Sequence, residues 1–114
     1  MPPLDEALEW KRRADTAEAL AGPAYVRLLE LAETRNSGQI PRVARFLAST
    51  FNGDAFPFDL FHLRSLDVAI GDDMLLCMDA LRWAKCDLHN LVPSGQARVL
   101  AVLELWEIEW PAST

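Results

Sequence analysis

A chain of 114 residues with a formal charge of −6, 51% hydrophobic and 25% charged side chains reads as one globular domain; it is neither a disordered tail nor a basic module that grips phosphates without sequence preference. No run of eighteen apolar residues is present, so no membrane span is expected, and MPPLDEALEWKRR sets acids before bases with no apolar stretch, unlike a secretory signal. Cys77 and Cys86 are too few for a disulfide scaffold, so two free thiols in a reducing cytoplasm are expected.

Residues 4–21 predict a first helix, with Leu4, Ala7, Leu8, Ala14, Ala17, Leu20 and Ala21 near helical spacing among charged residues. Gly22-Pro23 is expected to end it: glycine suits the left-handed C-terminal turn, and proline cannot continue the hydrogen-bond ladder. A second helix, 24–36, carries Tyr25, Val26, Leu28, Leu29 and Ala32 on one side and stops at Asn36-Ser37-Gly38. A third, from Ile40 to Phe51, opens with Pro41 in its first turn, where a missing N–H costs nothing. It turns Val43, Ala44, Phe46, Leu47 and Phe51 inward and Arg42 and Arg45 outward.

Residues 51–60 are too irregular for a helix and hold Phe51, Phe56 and Phe58, with Phe61 just beyond. Asn52-Gly53 suggests a loop with positive φ. Phe56 is held extended by Pro57. Asp59 is placed to cap a short helix at 60–66, its carboxylate accepting orphan N–H groups. The segment is expected to be an aromatic elbow plugging the core, each buried phenylalanine contributing about 2–3 kcal/mol; an exposed aromatic patch is the alternative.

The longest helix is expected at 67–85, capped by Ser65 or Asp67. Ile70, Met74, Cys77, Met78 and Leu81, widened by Leu75 and Leu76, make it the predicted centre of the bundle, and Gly71 would allow another backbone to approach. Pro93-Ser94-Gly95 forms a turn with Ser94 as N-cap of a last helix at 95–109, in which Val99, Leu100, Val102, Leu103, Trp106 and Trp110 mark the buried side. Pro111 stops it, and residues 1–3 and 111–114 are expected to fray. The fold class is therefore an all-α single domain, 1–114, with five or six helices.

Catalytic and metal chemistry finds little support. Cys86-x-x-His89 has ligand-like spacing, but Cys77 and His62 offer no second matching pair for a four-ligand site, so neither metal nor cofactor is expected. No phosphate-binding glycine loop or nucleophile elbow is present, and an enzyme is not expected. Charge is uneven: residues 1–36 hold five bases and seven acids, 37–66 three bases and two acids, 67–114 three bases and eight acids. Asp67, Asp72, Asp73 and Asp79 recur along one helix, joined by Glu104 and Glu107; these six are the candidate partner-binding residues, facing a basic protein surface. A merely solubilising face is the plain alternative. Asp72 and Asp79 lie two turns, about 10 Å, apart, too far to share an ion. A weaker reading makes residues 25–50 a helix-turn-helix, with Gln39, Arg42 and Arg45 on the 40–51 helix contacting DNA.

GQIPRVARFLASTFNG, FPFDLFHLRSLDVAIGDDML and DLHNLVPSG resemble a small uncharacterised bacterial family found on plasmids and integrative elements of proteobacteria. The pattern falls on Gly38-Gln39, Val43 to Leu47, Asn52-Gly53, Phe58 to Leu60, Leu66-Asp67 and Asp73-Met74, within residues 38–95. The resemblance implies a mobile-element setting and brings no catalytic residues. The expected function is a non-enzymatic acidic binding protein that occupies a partner's basic surface. In its sharper form it inhibits a nucleic-acid-handling complex such as a bacterial CRISPR effector, its acids standing in for phosphates; a DNA-binding regulator is the alternative. Homo-oligomerisation is open, with four tryptophans to nominate an interface if exposed.

Overall fold

A computed structural model describes residues 4–112; the fraying expected at 1–3, 113 and 114 lies outside the described residues. Among them the chain forms α1 (Leu4–Thr34), α2 (Ile40–Phe51), α3 (Val68–Trp83) and α4 (Gly95–Leu105), with 3-10 turns at Leu60–Ser65 and Leu88–Leu91 and no strand. This is an all-α bundle around one core. No described helix is long and apolar enough to cross a membrane.

The two helices expected at 4–21 and 24–36 are one. Pro23 lies inside α1, exposed, and the helix continues through Gly22-Pro23 without a break. A proline in a helix interior costs about 3 kcal/mol. That cost is offset because one buried stripe spans the site: Ala17 and Ala21 before it, then Ala24, Tyr25, Leu28, Leu29 and Ala32. Gly22 is not a left-handed cap. The second 3-10 turn lies against α1 here, and a Cβ at Gly22 would make only ordinary contact with it, 3.6 Å from the Leu91 carbonyl oxygen.

The centre of the bundle is the second half of α1, not the 67–85 helix. It touches α2, α3, α4 and the Leu88–Leu91 turn. α3 buries only Ile70, Met74, Cys77 and Ala80; Val68 and Leu75 form a second, unpacked apolar face, and Leu81 is left part-exposed beyond the packed stretch. Polar ties fix the frame: Tyr25 Oη and Thr50 Oγ1 share a hydrogen bond of 2.7 Å between α1 and α2. The Trp106 indole donates to the Ala32 carbonyl at 2.8 Å, satisfying an orphan acceptor in the last turn of α1.

The elbow is mostly core. Phe56 is buried with its ring 4.7 Å from that of Trp110, and half-buried Phe58 packs edge-on to Phe46 at 5.4 Å. Half-buried Phe51 meets His89 and Trp110. Phe61 departs from expectation: it is exposed, with the Arg64 guanidinium over its ring. Asp59 caps as expected, accepting from the Phe61 N–H at 2.9 Å, although the element is a 3-10 turn. Asn52 makes the loop with its side chain, its amide oxygen accepting from Ala55 N–H, and Gly53 has no positive φ.

Both later helices end earlier than expected. α3 stops at Trp83, with Lys85 left-handed at φ 52°. α4 stops at Leu105 in a Schellman turn: Glu107 is left-handed, Ile108 N–H reaches Leu103 O at 2.8 Å and Glu107 N–H reaches Glu104 O at 3.1 Å. Ile108 and Leu103, both buried, close that turn. Ser94 occupies the N-cap position in a left-handed conformation without a side-chain bond, and the close approach is at Gly95 rather than Gly71.

Candidate partner-binding surface

α3 is placed by its packed face. Ile70, Met74, Cys77 and Ala80 recur at three and four residues and press it antiparallel onto α1. The direction follows from its ends: Asp73, near the start of α3, meets Arg27, while Trp83, at its end, lies 5.0 Å beneath the Arg13 guanidinium. On the opposite face Val68, Asp72 and Leu75 are exposed, while Asp79 is half-buried and lines a cleft with Glu9, Arg12 and Arg13 of α1. Val68 is 79% exposed and Leu75 55% exposed, with Asp72 and Asp79 at the intervening turns. Four residues at spacings of four, three and four thus form a strip of alternating apolar and acidic groups.

The four aspartates of this segment do not behave alike. Asp67 stands at the N-cap position without a capping bond; its carboxylate accepts from Gln39 Nε2 at 2.8 Å and its own N–H donates to Gln39 Oε1 at 2.9 Å. Asp73 holds Arg27 in a two-pronged pair at 2.8 and 3.0 Å and is itself mostly buried, and its hydrogen bond keeps the guanidinium above its ordinary pKa. Asp79 accepts from Arg82 Nε at 2.8 Å. Asp72 is exposed with no ion pair or hydrogen bond among the described residues. Asp67 and Asp73 also line a groove of about 430 Å³ with Arg27 and Arg35, so that end of α3 is electrically mixed.

Glu104 is exposed on α4, and Glu107 is the left-handed residue of its C-terminal turn. Also on α4, Arg98 grips Glu33 of α1 with both prongs, 2.9 and 2.6 Å, which raises the guanidinium pKa. Of the alternative set, Arg45 is exposed and Arg42 half-buried on the outer side of α2, and Gln39 is spent on Asp67.

The thiols are set apart from any such surface. Cys77 is buried on the packed face of α3, and burial pushes its pKa up to about 12; it behaves as a small hydrophobe. Cys86 is half-exposed, its thiol also raised by burial. His89 packs against Phe51 with the rings tilted by 57° and its Nδ1 buried and unpartnered, and among the described residues no three His, Cys, Asp or Glu side chains are grouped to hold a metal.

Sequence reasoning missed Val68 and Leu75 as surface residues. Both fall outside the arc of Ile70, Met74 and Cys77 when α3 is drawn at 100° per residue, and that arc was the available signal. Phe61 and, on the expected buried side of the last helix, Leu100 and Trp110 are exposed as well; Trp10 and Trp110 are thus the exposed tryptophans.

The chain matches, over residues 22–107, the family described as a family of unknown function, DUF7673. No curated protein and no solved structure matches it.

Proposed function

The chain belongs to DUF7673, and since that membership carries no activity, we propose from its own surface that it is a non-enzymatic protein-binding domain working through the outer face of α3. Val68 and Leu75 anchor a partner and Asp72 and Asp79 face its cations. The observation that carries this reading is the pairing of two large exposed apolar groups with two carboxylates on one face of a helix whose other face is packed. Interfaces commonly surround apolar anchors with a charged rim, and charge complementarity speeds encounter and rejects wrong partners. Asp67 and Asp73 then serve as structural ties, and Glu104 belongs to α4 and Glu107 to the turn that follows it.

The partner this strip fits is a basic surface with an apolar slot. A complex that grips nucleic acid offers such a surface, and an inhibitor of one, encoded on a bacterial mobile element, is the sharper form of the reading. Affinity capture from the native host tests it with three baits: wild type, Asp72→Lys/Asp79→Lys, and Glu104→Lys/Glu107→Lys. A partner held by wild type and the α4 variant, lost by the α3 variant and weakened by salt, is the expected result. Retention by the α3 variant would refute it. A labelled duplex shifted by the protein in a steeply salt-dependent way would instead favour the 40–51 helix.

A further inference from the structure

α1 is longer than the bundle needs. Its first buried residue is Ala17, and before it every described residue except Ala14 is exposed. Leu4 is 75% exposed, and Leu8 and Trp10 are each 52% exposed. At 100° per residue, Leu4, Ala7, Leu8, Trp10 and Ala14 share one arc roughly 160° wide. Lys11 and Asp15 lie within that arc but are paired to each other at 2.8 Å. A helical stretch this short, its apolar side covered only where Trp10 faces Arg82, Trp83 and Lys85 across a shallow cleft, is marginal in water.

The edges of the arc carry the informative pattern. Asp5 and Arg12 lie along one edge, Glu6 and Arg13 along the other, each pair seven residues apart. A two-fold axis perpendicular to the helix sets each edge against its own copy running the opposite way. With that axis near Glu9, Asp5 meets the partner's Arg12 and Glu6 meets the partner's Arg13. The two ideal centres differ by one residue, about 1.5 Å along the helix. A parallel pairing in register would set like charges together.

We propose that residues 4–16 of α1 form a self-association surface on which two copies pair antiparallel about Glu9, burying Leu4, Leu8 and Trp10 between them. Within one chain Glu9 holds Arg12 at 3.2 Å and Arg13 at 3.4 Å in solvent-exposed pairs that exchange at little cost. Arg13 also lies 5.0 Å over the Trp83 ring, a weak contact with which the cross-chain pair to Glu6 competes. Two such limbs cover roughly 500 Å² per copy, against about 800 Å² for a standard stable interface, so the dimer is concentration-dependent. The surface shares no residue with the outer face of α3.

Sedimentation velocity of the full chain, across a concentration series reaching several hundred micromolar, tests this. Wild type is expected to pass from monomer to dimer. Asp5→Arg/Glu6→Arg alone and Arg12→Glu/Arg13→Glu alone should each weaken self-association by about tenfold or more. Mixed in equal amounts they should recover it to within about threefold of wild type, because the heterodimer restores all four cross-chain pairs. Far-UV circular dichroism checks that each variant keeps its helix content, and a mixture of two misfolded chains would show no recovery. A wild type monomeric throughout, a dimer indifferent to either block, or a mixture that does not recover overturns the proposal.

Discussion

Lys85, Ser94 and Glu107 have φ of 52°, 56° and 54°, while none of the five glycines has a positive φ. A side chain in the left-handed region costs about 1–2 kcal/mol, part of which glycine would return as unfolded-state entropy. Glu107→Gly should therefore raise unfolding stability by about 0.5–1 kcal/mol in urea titration, with the Schellman turn intact. Gly95 constrains in the opposite sense: an added Cβ runs into the His89 carbonyl, with its carbon 2.8 Å away. Gly95→Ala should lose more than about 2 kcal/mol, whereas Gly71→Ala, with nothing within 4 Å, should gain about 0.5–1 kcal/mol in the helix interior. Titration supplies a third outcome. Burial raises Cys77 from 9.0 and Tyr25 from 10.0 to about 12 each, Thr50 pulling Tyr25 slightly back. The unfolded chain ionises first, so their contribution is whole below about pH 9 and is lost as pH climbs toward 12. Urea midpoints should fall across that window. Tyr25→Phe should flatten the fall above pH 10, the ordinary tyrosine value.

At the scale of elements, the test is whether α1 is continuous. Replacing Pro23 by alanine restores an N–H for the Ala19 carbonyl and removes the ring clash, in a helix whose buried stripe is unbroken. Pro23→Ala should stabilise the protein by about 1–3 kcal/mol, measured by urea unfolding; a break at 22–23 would make the change neutral or harmful. The same site shows why the two-helix expectation failed. Gly-Pro is a local stop signal, and packing of Ala17, Ala21, Ala24 and Tyr25 into one core overrode it. α2 and the cap at Asp59 were legible, because local pattern and packing agree there, and so was the presence of a loop at Asn52-Gly53, though not its form: Asn52 is extended at φ −153° and Gly53 has no positive φ. The ends of α3 and α4 were not, since their left-handed stops are a lysine and a glutamate, residues that give no such signal. The candidate site was legible in part. Asp72 and Asp79 were visible as acids, but tertiary partners decided that Asp67 would bind Gln39 and Asp73 would bind Arg27, across 28 and 46 residues of sequence. Apolar abundance in α3 likewise concealed which leucine was covered; Leu75 was not.

The whole molecule measures 48 × 37 × 29 Å with a radius of gyration of 15.1 Å, beyond the roughly 13 Å of a compact hundred-residue domain. The excess is consistent with an α1 that runs past the last residue of α3 as a limb before its first buried residue at Ala17. Core and limb are thus separable in energy: the limb meets the rest where Arg13 lies over Trp83, where Trp10 faces Arg82, Trp83 and Lys85 across a shallow cleft, and where Glu9, Arg12 and Arg13 line a second cleft with Asp79 and Arg82. Stacking of that kind at an exposed site contributes about 0.5–1 kcal/mol. A chain begun at Ala14 should accordingly keep cooperative unfolding, lose no more than about 1–2 kcal/mol and show a smaller radius of gyration in solution scattering. It should also remain monomeric where the full chain associates, while its α3 face still captures whatever the wild type captures. Loss of cooperative folding would place residues 4–13 inside the folding unit and deny that division. Loss of capture with the fold intact would move the partner-binding surface from α3 to the limb.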